Sequence, residues 1–339
     1  MDWQASDAVR AVMEKPILVL GCGSIGRRHI KNLVALGASH VVHYDPYLTF
    51  DPDHPDVVRD TSWMDGVSLD LPRNLEDALD LNPIAAIICT PTSEHMNDLV
   101  NCYNFGIHNV FVEKPLTNED ESYWIDERWN KVNTFVACNF RFTPGLQRVK
   151  QLIDDGAIGK VVSARAQFGQ YLPDMRPGVD HKKIYAANKS MGGGCLLDGI
   201  HEFDYLCWLL GPIAEAKAFT ARLTDVTVDT EDVAEAILRF ESGALGSVHE
   251  DYVRRGYDRC CEIVGDSGWL RWTFNHNKTW RVDVNSPTMK GGYMSNPLHD
   301  TDMYLAEMQH FLRVCAGEEA SSNTVAQAYR LLETILNAK

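Results

Sequence analysis

No apolar run in this chain approaches the ~18 residues that a membrane-spanning helix requires, so no membrane partner is expected. Basic side chains are scarce: 32 Lys and Arg stand against 47 Asp and Glu, for a formal net charge of −15. That balance lacks the basic face of a sequence-independent nucleic-acid binder. The sequence has no C-x-x-C pair. Its nine cysteines (Cys22, Cys89, Cys102, Cys138, Cys195, Cys207, Cys260, Cys261 and Cys315) are odd in number and mostly embedded in apolar runs. They read as reduced thiols serving as small hydrophobes. His29, His95 and His181 show no metal-ligand spacing with a nearby Cys or Asp, so no metal is expected. Internal repeats and low-complexity linkers are missing too. The first fifteen residues lack an apolar signal core and read as a short helical extension, which makes the cytoplasm the expected location. What remains is 339 residues at 45% hydrophobic content, enough for two cores.

The stretch with most to say is Pro16 to Gly26, PILVLGCGSIG. Ile17 to Leu20 have the composition of a strand buried on both faces. Gly21, Gly23 and Gly26 follow as G-x-G-x-x-G, with Ser24 and Ile25 between them, and a helical pattern runs on to Gly37. A pyrophosphate needs this order. One glycine makes the tight turn, a second admits the phosphates to the backbone, and a third lets helix and strand pack, while the helix start offers unpaired N–H groups. Asp45 ends the next apolar run, Val41 to Tyr44, 19 residues beyond Gly26. That is close to the ~20-residue spacing at which an acid meets the adenosine ribose. A carboxylate there repels a 2′-phosphate and favours NAD, whereas Arg27 and Arg28 keep NADP open. Tyr47 to Leu71 reads as an irregular excursion. Strand and helix then alternate: a helix over Leu75–Leu79 capped by Asn74, strands at 84–89 and 109–112, and a helix at 94–105. Residues 16–138 therefore form a doubly wound parallel sheet. Ligands in such sheets lie at the carboxyl ends of strands. The glycine loop, Asp45, the turn Thr90-Pro91-Thr92-Ser93 with His95 behind it, and Glu113-Lys114-Pro115 all fall at such ends.

From Val161 the texture changes to longer alternating stretches at 161–168, 214–223, 232–240, 244–252 and 259–272, expected as mostly antiparallel strands. Between the first two lies the block from Gly192 to Tyr205, which opens a helix continuing to Leu210. Two more helices are expected at 302–315 and 323–337. Residues 139–339 are expected as one second domain of α/β type.

These motifs together resemble the glucose–fructose oxidoreductase / inositol dehydrogenase / MocA family. The carrying residues are G-C-G-S-I-G at 21–26, T-P-T-S-E-H at 90–95, E-K-P at 113–115, N-F-R-F-T-P at 139–144 and G-G-G-C-L-L-D-G-I-H-E-F-D at 192–204. The resemblance implies a Rossmann domain followed by an α/β domain with an open, mostly antiparallel sheet. It also implies an active site between the two domains and a homo-oligomer, dimer or tetramer, formed through that sheet. It places Lys114 beside the nicotinamide and the substrate oxygen, and it matches Asp198 and His201 to the acid and histidine that complete the site. This chain spaces the pair D-x-x-H where the family commonly has D-x-x-x-H; both separations keep two side chains on one helical face.

Oxidation of a secondary alcohol needs a base for the hydroxyl proton and a positive group for the developing alkoxide. His201 suits the first role, because its ordinary pKa lies near neutrality. Lys114 suits the second, and Asp198 either orients His201 or binds a substrate hydroxyl. Asn139, Arg141, Arg176 and Tyr185 are the candidate substrate contacts, with a structural pair the competing role for Asn139 and Arg141. The expectation is an NAD(P)-dependent dehydrogenase of sugars, nucleotide-linked sugars or cyclitols. The alternatives are an NAD-dependent glycosidase that oxidises its sugar transiently, and a non-catalytic NAD-binding sensor.

Overall fold

The computed structural model describes residues 3–45, 68–70, 72, 74–296 and 302–339. All but the end of the expected excursion at 47–71 lies outside them. The chain divides into two compact units.

The first unit opens with α1 (Asp7–Met13), capped by the Ser6 hydroxyl, which accepts from Val9 N at 3.1 Å. The extension is thus a helix with its own core side, burying Val9, Val12 and Met13. Then come β1 (Ile17–Leu20), α2 (Ser24–Leu36), β2 (His40–Tyr44), β3 (Ser68–Asp70), α3 (Leu75–Asp80), β4 (Ala85–Ile88), α4 (His95–Asn104), β5 (Asn109–Val112) and β6 (Asn133–Val136). Asn74 caps α3, accepting from Asp77 N at 2.7 Å. The strands form one parallel sheet in the order β3-β2-β1-β4-β5-β6. Every residue of β1 and β4 is buried, as their unbroken branched and small apolar runs dictate for strands covered on both faces. The order reverses between β1 and β4, and a ligand crevice is expected at such a switch point.

The second unit begins with α5 (Pro144–Asp154), where Thr143 is the N-cap and Pro144 the first helical residue. It continues with β7 (Val161–Gln170), α6 (Leu172–Met175), α7 (Cys195–Asp198), α8 (Ile200–Leu210), β8 (Ile213–Ala221), β9 (Val233–Phe240), β10 (Leu245–Asp251), β11 (Tyr257–Gly265), β12 (Trp269–Phe274), β13 (Trp280–Asn285) and β14 (Lys290–Met294). The sheet order is β14-β13-β12-β11-β7-β10-β9-β8. All neighbours pair antiparallel except β10 and β7, which run parallel. The stretch expected as one strand at 259–272 is a hairpin, because the turn at Asp266-Ser267-Gly268 folds it back on itself. α5 packs on β12 and β13, and α8 on β7, so one sheet face is covered.

Two helices end the chain, α9 (Met303–Cys315) and α10 (Val325–Leu336). The second domain was expected to take both. Instead, residues 304–328 cluster with the first unit. Phe311 lies edge-on to Phe111 at 5.5 Å, and His310 edge-on to Phe135 at 5.3 Å. Thr134 Oγ1 accepts from Val325 N at 3.1 Å. Aromatic packing against β5 and β6 therefore draws α9 back to the parallel sheet.

Candidate active site

The glycine loop sits at the β1–β4 switch point. Gly21 has φ +85°, and a Cβ there would stand 2.6 Å from the Cys89 carbonyl oxygen, so the turn tolerates no side chain. Gly23 differs: a Cβ at that position would meet nothing within 4 Å. It is the exposed N-cap of α2, with no side-chain cap and no acidic residue in the first turn. Ser24 is exposed and Ile25 half-buried beside it, while Gly26 is buried against the Gly21 carbonyl. The first-turn N–H groups thus face open space at the positive end of the helix dipole, a cradle that fits a dinucleotide pyrophosphate. Asp45 is fixed beside it, its Oδ2 accepting from Cys22 N at 2.6 Å. Thr90 donates from Oγ1 to Asp98 Oδ2 at 2.7 Å, and burial lifts the Asp98 pKa to about 6, partly offset by that hydrogen bond. Pro91 is exposed and Thr92 buried in the same turn.

Glu113 and Lys114 leave the carboxyl end of β5. His29, fully buried on α2, places Nε2 2.7 Å from Glu113 Oε1, and Glu113 Oε2 accepts from Lys114 N at 3.2 Å. Burial alone would raise the Glu113 pKa, but His29 and Lys114 together hold it below the ordinary carboxylate range. The backbone at Lys114 is thereby tied, through one carboxylate, to the helix that starts at the glycine loop. His95 braces the other side, with Nδ1 2.9 Å from Pro115 O and Nε2 2.9 Å from Thr90 O. Burial lowers its pKa, so the ring is neutral and donates to only one carbonyl at a time. His95 is consequently a buried strut between the Thr90 turn and the E-K-P corner.

In the second unit, Asp198 is the last residue of α7 and His201 the second of α8. The single helix expected through this block is interrupted at Gly199 (φ −78°, ψ 16°). Only glycine fits at that position, since a Cβ on Gly199 would collide with the Glu250 carboxyl group. Asp198 Oδ1 accepts from the Tyr185 hydroxyl, and Oδ2 accepts from the Tyr252 hydroxyl at 3.0 Å. His201 is half-buried and edge-on to Phe140, with ring centres 5.0 Å apart.

Arg141 forms a buried two-pronged ion pair with Asp204, Nε to Oδ2 at 2.7 Å and Nη2 to Oδ1 at 2.6 Å. Asn139 is buried, and its Oδ1 has no donor within reach among the described residues. Arg176 is exposed on the loop after α6. The structure thus gathers the glycine loop, Asp45 and the Thr90 turn at one crevice of the first unit, and Asp198 with Tyr185 in the second. His29 and Tyr252 were not anticipated. The signal for His29 was its place three residues after Gly26, on the side of α2 that the sheet must bury. Tyr252 carried no local signal.

Residues 15–124 match the family model described as "Oxidoreductase family, NAD-binding Rossmann fold", and residues 146–271 match the "GFO/IDH/MocA C-terminal domain". The chain belongs to the Gfo/Idh/MocA family. Within that family it is 29% identical over 314 residues to the myo-inositol 2-dehydrogenase of Thermotoga maritima, covering 88% of each chain. It is also 28% identical over 241 residues to the levoglucosan dehydrogenase of Pseudarthrobacter phenanthrenivorans, covering 62% of this chain and 60% of the relative. Its fold matches a levoglucosan dehydrogenase solved with NADH (TM-score 0.77, 20% identity, 96% of each chain). It also matches the WlbA dehydrogenase of Bordetella pertussis solved with NADH and UDP-GlcNAcA (TM-score 0.73, 20% identity, 96% of each chain). As a Gfo/Idh/MocA protein it is an NAD-binding oxidoreductase.

Proposed function

We propose that this oxidoreductase interconverts a secondary alcohol and its ketone on a sugar, a nucleotide-linked sugar or a cyclitol, with NAD as cofactor. The observation that carries the reading is the anchoring of Lys114. It leaves a strand end of the same parallel sheet that bears the pyrophosphate cradle, and His29 and Glu113 hold its backbone. When bound, a nicotinamide supplies acceptance of two electrons and hydrogen from the alcohol carbon, or their return. Lys114 steadies the developing alkoxide, or polarises the ketone in the reverse direction. His201 takes the hydroxyl proton. Asp198, aimed by Tyr185 and Tyr252, accepts from a neighbouring substrate hydroxyl. Asn139 Oδ1 is a buried acceptor with capacity to spare for another. Arg141 is committed to Asp204 and is best read as a strut for α8; the exposed Arg176 suits the charged part of a larger substrate. The names of the relatives, an inositol dehydrogenase and a levoglucosan dehydrogenase, support this substrate class. Assembly follows the same reading, with the sheet face opposite α5 and α8 joining two copies of the chain.

Asp45 favours NAD over NADP, since its carboxylate meets the ribose position where NADP carries a phosphate. The test is calorimetric titration of the purified protein with NAD and NADP, followed by absorbance of reduced nicotinamide across a panel of polyols and sugar nucleotides. Binding of NAD and turnover of a panel member are expected. Asp45→Ala should weaken NAD binding about tenfold and narrow the preference over NADP. An unchanged preference would reduce Asp45 to a turn residue.

A further inference from the structure

Directly beneath the break between α7 and α8 lies a cluster that the reaction outlined above does not use. Glu250 of β10 is completely buried, and neither carboxyl oxygen has a donor within reach among the described residues. Register places it on the helix-facing side of the sheet, level with Phe168 on β7, which in turn is level with Arg259 on β11. Arg259 stacks 4.1 Å from the ring centres of both Phe140 and Phe168, and pairs with the fully buried Glu202 at 2.8 Å. Glu202 is the residue next to His201. The Phe140 ring that supports Arg259 is the one on which His201 rests edge-on.

Two buried carboxyl groups therefore face one guanidinium. If both were ionised, one negative charge would lie uncompensated in the core, which is strongly unfavourable. A carboxyl group with no donor around it removes that cost by keeping its own proton and donating to its neighbour. We propose that Glu250 is a positioning residue for the His201 segment: uncharged, it shares its proton with Glu202, and the pair clamped by Arg259 holds the turn between α7 and α8. The charges then balance, with one proton, one carboxylate and one guanidinium.

Every group facing Glu250 pushes the same way or is already committed. Burial raises its pKa well above the ordinary value, and Glu202 on α8 and Asp198 on α7 raise it further, while Arg259 on β11 opposes them. Cys195 on α7, Tyr205 on α8 and Tyr257 on β11 complete the titratable surroundings, and burial raises all three. Gly199 fits the arrangement, because a side chain there would displace the Glu250 carboxyl.

The positioning role rests on His201 and Asp198 being reacting groups; the shared proton does not, so two readouts separate them. In protein carrying isotope-labelled glutamate, infrared difference spectra should show a protonated buried carboxyl at pH 8 that vanishes in Glu250→Gln. Loss of no such band on substitution would overturn the shared proton, whether or not a substrate has been found. In steady-state kinetics Glu250→Gln, which keeps the donor and the shape, should hold kcat within about twofold, and Glu250→Ala should lower kcat about tenfold or more with NAD affinity unchanged. A Gln variant as damaged as the Ala variant, or an Ala variant with full kcat, would overturn the positioning role. Should Glu250→Ala fail to fold, the Gln variant still decides, since its amide cannot ionise. Any fall in wild-type kcat at alkaline pH that comes from Glu250 must be absent from it.

Discussion

Asp98 on α4 holds a largely buried carboxyl group beside the Thr90 turn, where burial raises its pKa from 3.8 to about 6. The folded state then binds a proton that the unfolded state has released at the same pH, so stability falls as pH rises from about 4 to about 6. Asp98→Asn removes the charge yet keeps an oxygen for the Thr90 hydroxyl. The variant should match the wild type in urea denaturation near pH 4 and exceed it by about 1–2 kcal/mol at pH 8, after allowance for partial solvent contact. Equal effects at both pH values would assign the change to the hydrogen bond instead. Lys114 makes a different demand, because in the proposed reaction its charge also has to meet a developing alkoxide. Lys114→Ala is expected to lower kcat by about 10²–10³ while NAD affinity, read by calorimetry, stays within a few fold. Parallel losses in both would move Lys114 into the cofactor site.

The β1–α2 turn separates what the fold needs from what the ligand needs. Gly21→Ala puts a methyl group 2.6 Å from the Cys89 carbonyl oxygen on a backbone at φ +85°. Thermal unfolding of the protein without cofactor should therefore fall by several degrees. Gly23→Ala adds a methyl group where nothing lies within 4 Å. Its unfolding temperature should stay put while NAD affinity drops at least about tenfold. A destabilised Gly23→Ala would deny that its open space belongs to a ligand. The same turn shows why this part of the molecule was readable in the sequence: strand, glycines and helix are contiguous, and each signal is local. β4, β5 and the cap at Asn74 were readable for that reason. The demand for glycine at 199 was not, because Glu250, which leaves no room for a side chain there, lies about fifty residues away in sequence and only the folded sheet brings it underneath. β13 escaped although its residues W-R-V-D-V-N alternate cleanly, and β14 escaped because two adjacent glycines interrupt its short run. The home of α9 depended on Phe111 and Phe135, whose partners no local pattern names.

At the scale of the whole molecule, the eight-stranded sheet has one face under α5 and α8, and the opposite face carries exposed side chains on β8, β9 and β10. On the second face Phe219 is 83% exposed and Ile237 68%, with Leu245 about half-exposed beside them on β10. Register places Ile237 between Lys217 and Ser247, and Phe219 opposite Glu235, so the apolar side chains sit among charged ones on β8, β9 and β10. Large side chains so exposed on strands contribute nothing to the core, yet each would gain about 1.5–3 kcal/mol if covered. A two-fold contact between copies of this face covers both sets at once, since the same patch serves each side. Sedimentation velocity at micromolar concentration should therefore give a mass of at least twice the 38.1 kDa chain. The double substitution Phe219→Lys and Ile237→Lys should reduce it to one chain. NAD affinity should survive that change, because the pyrophosphate cradle and Asp45 are built entirely from the first unit. A wild-type protein that sediments as a single chain would sink the assembly, and an unchanged mass for the double variant would move it to another face.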